Sequence, residues 1–205
     1  MTTTPVGPTT EIYVDPVCPF AWVTSRWLDG VSRRRGILVI WRQMSLATLN
    51  EGRTLSGAHA DRMGASRRTG RVFAATAALG PMKDLYLALG RRLHADARAL
   101  STELMGEALA ECGLDPALAD AMDDPRYDDA VAAAHERSQA ALGGTGGSPI
   151  IVIDGHAFFG PVLTEIPDPE SADRLFDGLA ALAAIPAFAQ MERPRVGPPN
   201  MKEAA

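Results

Sequence analysis

The sequence is poor in several things at once, and each shortage removes a class of protein. It has two cysteines in 205 residues, Cys18 and Cys112, too few for a scaffold held by several disulfides. Basic residues do not prevail: Lys and Arg total 20 against 25 Asp and Glu, for a formal charge of −5. That balance excludes a broad cationic surface for nucleic acid. No apolar run is long enough for a membrane span. The opening MTTTPVGPTT lacks the basic start and apolar stretch of a secretory leader, so a cytoplasmic location is expected. Four histidines and two cysteines show no metal-ligand spacing, and no metal is expected. There is no fixed-period repeat. No glycine-rich phosphate loop follows a strand, because the glycines at 143–147 precede one.

What is present is a change of pattern along the chain. Residues 1–10 are polar and read as a flexible lead-in. Glu11-Ile12-Tyr13-Val14-Asp15 reads as a strand stopped by Pro16. Phe20, Val23, Trp27, Leu28 and Val31 then fall on one helical face, with Gly36 as the stop. Ile37 to Met44 is β-rich again. From Ser45 to Leu142 the chain turns to Ala, Leu and Arg at helical spacing. One helix is expected over 58–79 and a second opened by Pro81. A third is capped by Ser101 and ended by Gly113, and two more open at Asp115-Pro116 and Asp124-Pro125. Arg33-Arg34-Arg35 reads as a solvated helix end. After the glycines, Pro149-Ile150-Ile151-Val152-Ile153 is too apolar to have a wet face and suits a buried strand. Asp154-Gly155 signals a two-residue hairpin turn. Residues 170–184 make a last amphipathic helix, followed by a Pro-rich tail expected to be loosely held. The order β-α-β, helical block, β-β-α is that of an α/β thioredoxin fold split by an all-helical insertion. Residues 1–45 and 145–205 would form the thioredoxin-like domain, and 46–144 the insertion.

Cys18 stands where the first strand gives way to the first helix. A sulfur there faces free backbone amides and the positive end of the helix, which favour the thiolate. A lowered pKa and a nucleophilic role are therefore expected. Pro19 suits the first helical position and leaves the other amides free for sulfur. Ser148-Pro149 enters a strand, and an X-Pro bond there can be cis, turning the Ser148 backbone toward Cys18. Phe20 and Trp22 could wall a flat apolar substrate site or simply pack the helix. His94 and His135 are candidate proton donors, although a histidine satisfied within the fold is the commoner case. Asn50 could contact substrate or cap a turn. His59 and His156 have no partner pattern, and Cys112, in a helical pattern, reads as an inert core thiol.

Asp15-Pro16-Val17-Cys18-Pro19-Phe20-Ala21-Trp22 with Thr24-Ser25-Arg26-Trp27 resembles the active-site segment of actinobacterial DsbA-like proteins. The resemblance is to the branch of mycothiol-dependent nitroreductases and mycoredoxin-like proteins. Met44-Ser45-Leu46, Leu49-Asn50-Glu51, the entry to Ser148-Pro149 and Ala157-Phe158-Phe159-Gly160-Pro161-Val162-Leu163 resemble it too. It implies a thioredoxin fold with a helical insertion, a catalytic thiol on the first helix and a small thiol, mycothiol or glutathione, as co-substrate. Redox members of the family commonly carry a C-x-x-C pair, and here Ala21 stands at its fourth position. A single-thiol oxidoreductase is therefore the expected activity. A thiol-assisted cis–trans or hydroxychromene-carboxylate-isomerase-like isomerase, or a transferase on an apolar small molecule, is the alternative. A binding protein without turnover is the third reading. The expected partners are a small-molecule substrate, with no nucleic acid and no membrane, and a monomer or homodimer.

Overall fold

The structure is a computed structural model that describes residues 8–80, 82–195 and 197–201. Strand β1 (Thr10–Val14) leads through the Asp15–Cys18 turn into helix α1 (Pro19–Arg35), and β2 (Val39–Gln43) follows. α1 ends because Gly36 takes the left-handed conformation (φ 69°) and its N–H returns to the Ser32 carbonyl. The helices α2 (Leu46–Leu49), α3 (Gly57–Thr76), α4 (Met82–Gly90), α5 (Thr102–Glu111) and α6 (Asp128–Leu142) come next. β3 (Ile150–Ile153), β4 (His156–Phe159) and α7 (Pro169–Ala183) close the chain. The sheet runs β2-β1-β3-β4, with β1 parallel to β2 and antiparallel to β3. The α/β thioredoxin arrangement is therefore present, and every helix between β2 and β3 lies outside it as an insertion.

Every residue of β3 is buried, as its unbroken apolar run implies. Asp154 (φ 49°) and Gly155 (φ 81°) supply the two positive-φ positions that a tight hairpin to β4 needs. The main core joins both parts of the chain. Trp22, Trp27 and Leu28 of α1 share one cluster with Ile12, Ile151 and Phe176, and also with Tyr86, Leu89, Met105 and Leu109 of the insertion.

Several expectations need correction. Thr10 is fully buried, and the Thr9 amide donates to Asp154 Oδ1 at 2.9 Å, so the end of the lead-in is docked; residues 1–7 lie outside those described. Pro81, expected to open a helix, also lies outside. Asp115-Pro116 and Asp124-Pro125 open short 3-10 segments, Pro116–Asp123 and Pro125–Tyr127, rather than long helices. Pro125 forces Asp124 out of the helical region (ψ 106°), which cuts the first segment short. A π-helical turn, Arg91–Ala95, extends α4 with no sequence signal. Arg34 and Arg35 are not merely solvated: they pair with Asp173 and Asp177 at 2.5 Å and hold α1 against α7. The Pro-rich tail is docked as well. The Asn200 amide donates to the Thr164 carbonyl at 2.7 Å, and Met201 packs on the main core.

Candidate active site

Cys18 is the N-cap residue of α1, with Pro19 in the first turn. Its sulfur accepts from the Ala21 amide at 3.5 Å, and its S–H donates to the Ser148 carbonyl at 3.3 Å. The Ser148–Pro149 bond is cis, and so is Gly160–Pro161, which carries no sequence signal. Cys18, Pro19, Ser148 and Pro149, separated by some 130 positions in sequence, thus meet at one point.

The electrostatics reverse the expectation for the thiol. Cys18 is only 5% exposed. Burial pushes its pKa up to about 11, the Asp15 charge adds to the rise, and the Ala21 and Phe20 amides only partly offset it. Desolvation of a charge outweighs two oriented amides. The helix start is therefore correctly placed, but the sulfur is held as a thiol.

Asp15 reads in the sequence as a strand end and as the first residue of the family-like segment, with no role of its own, yet its side chain and amide join several segments here. Its carboxylate accepts from the Val17 amide at 2.9 Å, the Leu46 amide at 2.6 Å and the Ser66 hydroxyl at 2.5 Å. Its own amide donates to Ser148 Oγ at 2.9 Å. It is 1% exposed, and its pKa is raised, because burial outweighs the lowering by those three donors. Its one signal in the sequence is an aspartate two residues before a turn amide, the Asx pattern. Its other partners are 31, 51 and 133 residues away.

The remaining candidates separate. Phe20 is half-buried, and the Arg195 guanidinium lies 5.0 Å from its ring centre. Trp22 is a core residue at 1% exposure, stacked 5.7 Å from His94 and tilted 6.3 Å from Tyr86, so packing and not a substrate wall describes its ring. Its indole N–H reaches the Met201 carbonyl at 3.4 Å. His94 lies behind the thiol turn, with Nε2 2.8 Å from the Pro16 carbonyl. A carbonyl only accepts, so Nε2 carries the proton, and burial lowers the pKa of the ring toward its neutral form. That proton is tied to the main chain. His135 is buried on α6, and the structure shows no contact between it and Cys18. Asn50 caps α2: its Nδ2 donates to the Leu46 carbonyl at 2.9 Å, and its Oδ1 accepts from Arg53 at 3.4 Å. Cys112 is half-buried at the end of α5, and both cysteines are free. Burial and the nearby Asp84 and Glu111 charges raise its pKa.

A thiol at a helix start beside a cis-proline loop, on a split sheet with a helical insertion, is the setting in which the family comparison decides. The Rv2466c-like family, described as mycothiol-dependent nitroreductase Rv2466c, matches residues 17–193. The chain belongs to that family. A curated relative, the uncharacterized protein Rv2286c of Mycobacterium tuberculosis (strain ATCC 25618 / H37Rv), is 32% identical over 199 residues, covering 91% of this chain and 82% of that protein. Two solved structures share the fold of this Rv2466c-like chain. The probable DsbA oxidoreductase SCO1869 of Streptomyces coelicolor superposes with a TM-score of 0.59 at 21% identity, over 91% of this chain and 94% of that one. The cytosolic disulfide reductase DsbM of Pseudomonas aeruginosa, solved with GSH, gives 0.55 at 17% identity, over 84% and 99%. Among the described residues, no helix is long and apolar enough to cross a membrane.

Proposed function

We propose that this chain is a thiol-dependent oxidoreductase in which Cys18 works alone with a low-molecular-weight thiol of the mycothiol or glutathione kind. The observation that supports it most is the position of the Cys18 sulfur at the start of α1, 3.3 Å from the Ser148 carbonyl, in a chain of the Rv2466c-like family. Ala21 removes the local second thiol, so resolution falls to a thiol from solution.

In the reaction, the Cys18 thiolate attacks one sulfur of a disulfide R–S–S–R′. The S–S bond breaks, R′S⁻ leaves and takes up a proton, and Cys18 is joined to R. A small thiolate then attacks the mixed disulfide, frees Cys18 and carries R away as a new disulfide. The substrate sulfur R′ is reduced and the small thiol is oxidised. A nitro compound is a second class of oxidant in keeping with the family's description, two small thiols supplying two electrons and two protons as it becomes a nitroso compound and water.

With a pKa of about 11, roughly one Cys18 in ten thousand is ionised at pH 7, so binding has to open the site before attack. Opening leaves sulfur with the Ala21 amide and the helix start, which then lower its pKa. The alternative, a thiol-assisted isomerase or transferase on an apolar small molecule, draws on the same Ala21 and on the apolar face of Phe20.

Intact mass spectrometry after incubation with oxidised mycothiol or glutathione tests the proposal. One small-thiol adduct on Cys18, lost in Cys18→Ser and released by excess small thiol, is expected. Turnover of a substrate without consumption of thiol would establish the isomerase instead, and ligand-induced stabilisation without adduct or product would leave a binding protein. Ala21→Cys adds the missing partner, and on oxidation that variant should lose two hydrogens as the introduced thiol closes a disulfide with Cys18.

A further inference from the structure

We propose that Asp15 is a positioning residue of the thiol site, whose buried carboxylate fixes where Cys18 points by joining its turn to α2, α3 and the Ser148 loop. The inference takes Cys18 as the reactive group, as proposed above, but not the identity of its substrate.

Four segments meet at this one side chain. The Val17 amide on Oδ1 shapes the turn immediately before the thiol. The Leu46 amide and the Ser66 hydroxyl on Oδ2 belong to the first helices of the insertion. Ser66 Oγ also accepts from the Ala47 amide at 2.9 Å, so its single proton is committed to Asp15. The Asp15 amide donates to Ser148 Oγ while the Ser148 carbonyl accepts from the Cys18 thiol, and the Cys18 amide donates to the Asp15 carbonyl at 3.1 Å. Movement of the insertion away from the sheet would therefore pull on the Cys18 turn through Oδ2.

The donor set fits an ionised carboxylate, which accepts at every site. The three donors that hold it, two backbone amides and a hydroxyl, are all neutral. The titratable groups that feel its charge are Cys18, on its own turn, and the buried Tyr86 hydroxyl of α4, both raised by it. His94 of the π-turn faces the same turn through the Pro16 carbonyl and is lowered toward its neutral form. The carboxylate that orients the sulfur thus also opposes its ionisation. Weakening the Ser66 tie and removing the charge are then separate perturbations with separate signatures.

Iodoacetamide labelling of the full-length protein, quantified on the Cys18 peptide against the Cys112 peptide, reads both. Ser66→Ala leaves the Asp15 carboxyl in place and removes one bond from the insertion, and should raise the Cys18 rate roughly tenfold; Ser66→Thr, which restores a hydroxyl, should return it. Asp15→Asn should move the midpoint of the rate–pH curve downward by about one unit. Wild-type labelling in Ser66→Ala, or failure of Ser66→Thr to restore it, overturns the positioning role. An unmoved midpoint in a folded Asp15→Asn overturns the charge contribution, and the Ser66 pair decides the first point even where Asp15→Asn does not fold. Absence of small-thiol chemistry would leave all of these readings intact, because alkylation needs no small thiol.

Discussion

Gly90, the last residue of α4, offers a sharp test of how the insertion meets α1. A Cβ added there would sit 2.5 Å from two ring atoms of Trp22 and 3.4 Å from a third. Trp22 cannot easily yield, since it is 1% exposed and contacts His94 and Tyr86. The backbone of Gly90 is helical (φ −62°, ψ −37°), so alanine brings no conformational strain and would gain about 1 kcal/mol in helix propensity. Overpacking of a rigid core typically costs about 1–3 kcal/mol, and a contact this short belongs at the upper end. Gly90→Ala should therefore be destabilised by about 1–2 kcal/mol net, a loss of roughly 2–8 °C in midpoint for a chain of this size. Gly178 of α7 supplies the matched control: it is exposed, with nothing within 4 Å of the place a methyl would take, and Gly178→Ala should gain up to about 1 kcal/mol. Urea and thermal unfolding of the two variants beside the wild type measure both. A Gly90→Ala protein as stable as Gly178→Ala would refute the close approach of α4 to the Trp22 ring.

The raised pKa of Cys18 carries a pH dependence with a definite sign. Below the ordinary thiol pKa of 9.0 both folded and unfolded chains hold the proton; above it the unfolded chain releases it first, so the stabilising contribution disappears as pH rises toward about 11. Stability should fall over that window, and Cys18→Ser should fall less steeply in urea midpoints measured at each pH; the raised Tyr13 contributes equally to both proteins, and Tyr86, raised chiefly by burial, loses only the part of its rise that the Cys18 charge supplies. The docked tail gives another expectation: a chain ending at Glu192 loses Arg195 from the Phe20 ring and Met201 from the Trp22 indole. Its Cys18 should label severalfold faster with iodoacetamide relative to Cys112, and an unchanged ratio would show that the tail does not shield the first turn of α1.

Local chemistry in this sequence is readable, and long-range chemistry is not. The N-cap position of Cys18, Pro19 beside it, Gly36 as the stop and the Asp154-Gly155 hairpin each depend on neighbours within a few residues. They can be inferred from the chain alone. Burial of the sulfur depends on what folds over it, and so the expected low pKa is inverted. Asp15 escapes notice for the same reason: of its carboxylate's partners only Val17 is close in sequence. Asn50 and Trp22 match the family segment, yet capping of α2 and packing against His94 account for their side chains. Nothing in the pattern associates Arg195 and Met201 with α1, since no periodicity links a Pro-rich tail to helix residues 175 and 179 positions earlier.

The pairing of β1 with β3 sets Thr10 opposite Ile153 and Tyr13 opposite Ile150. β1, α1 and β2 are therefore separated from the strand that pairs with the other edge of β1 by the whole helical block. Trp22 shares its burial with Tyr86 and Leu89, so the insertion covers α1 from one side, while the sheet waits for β3 and β4 to be finished.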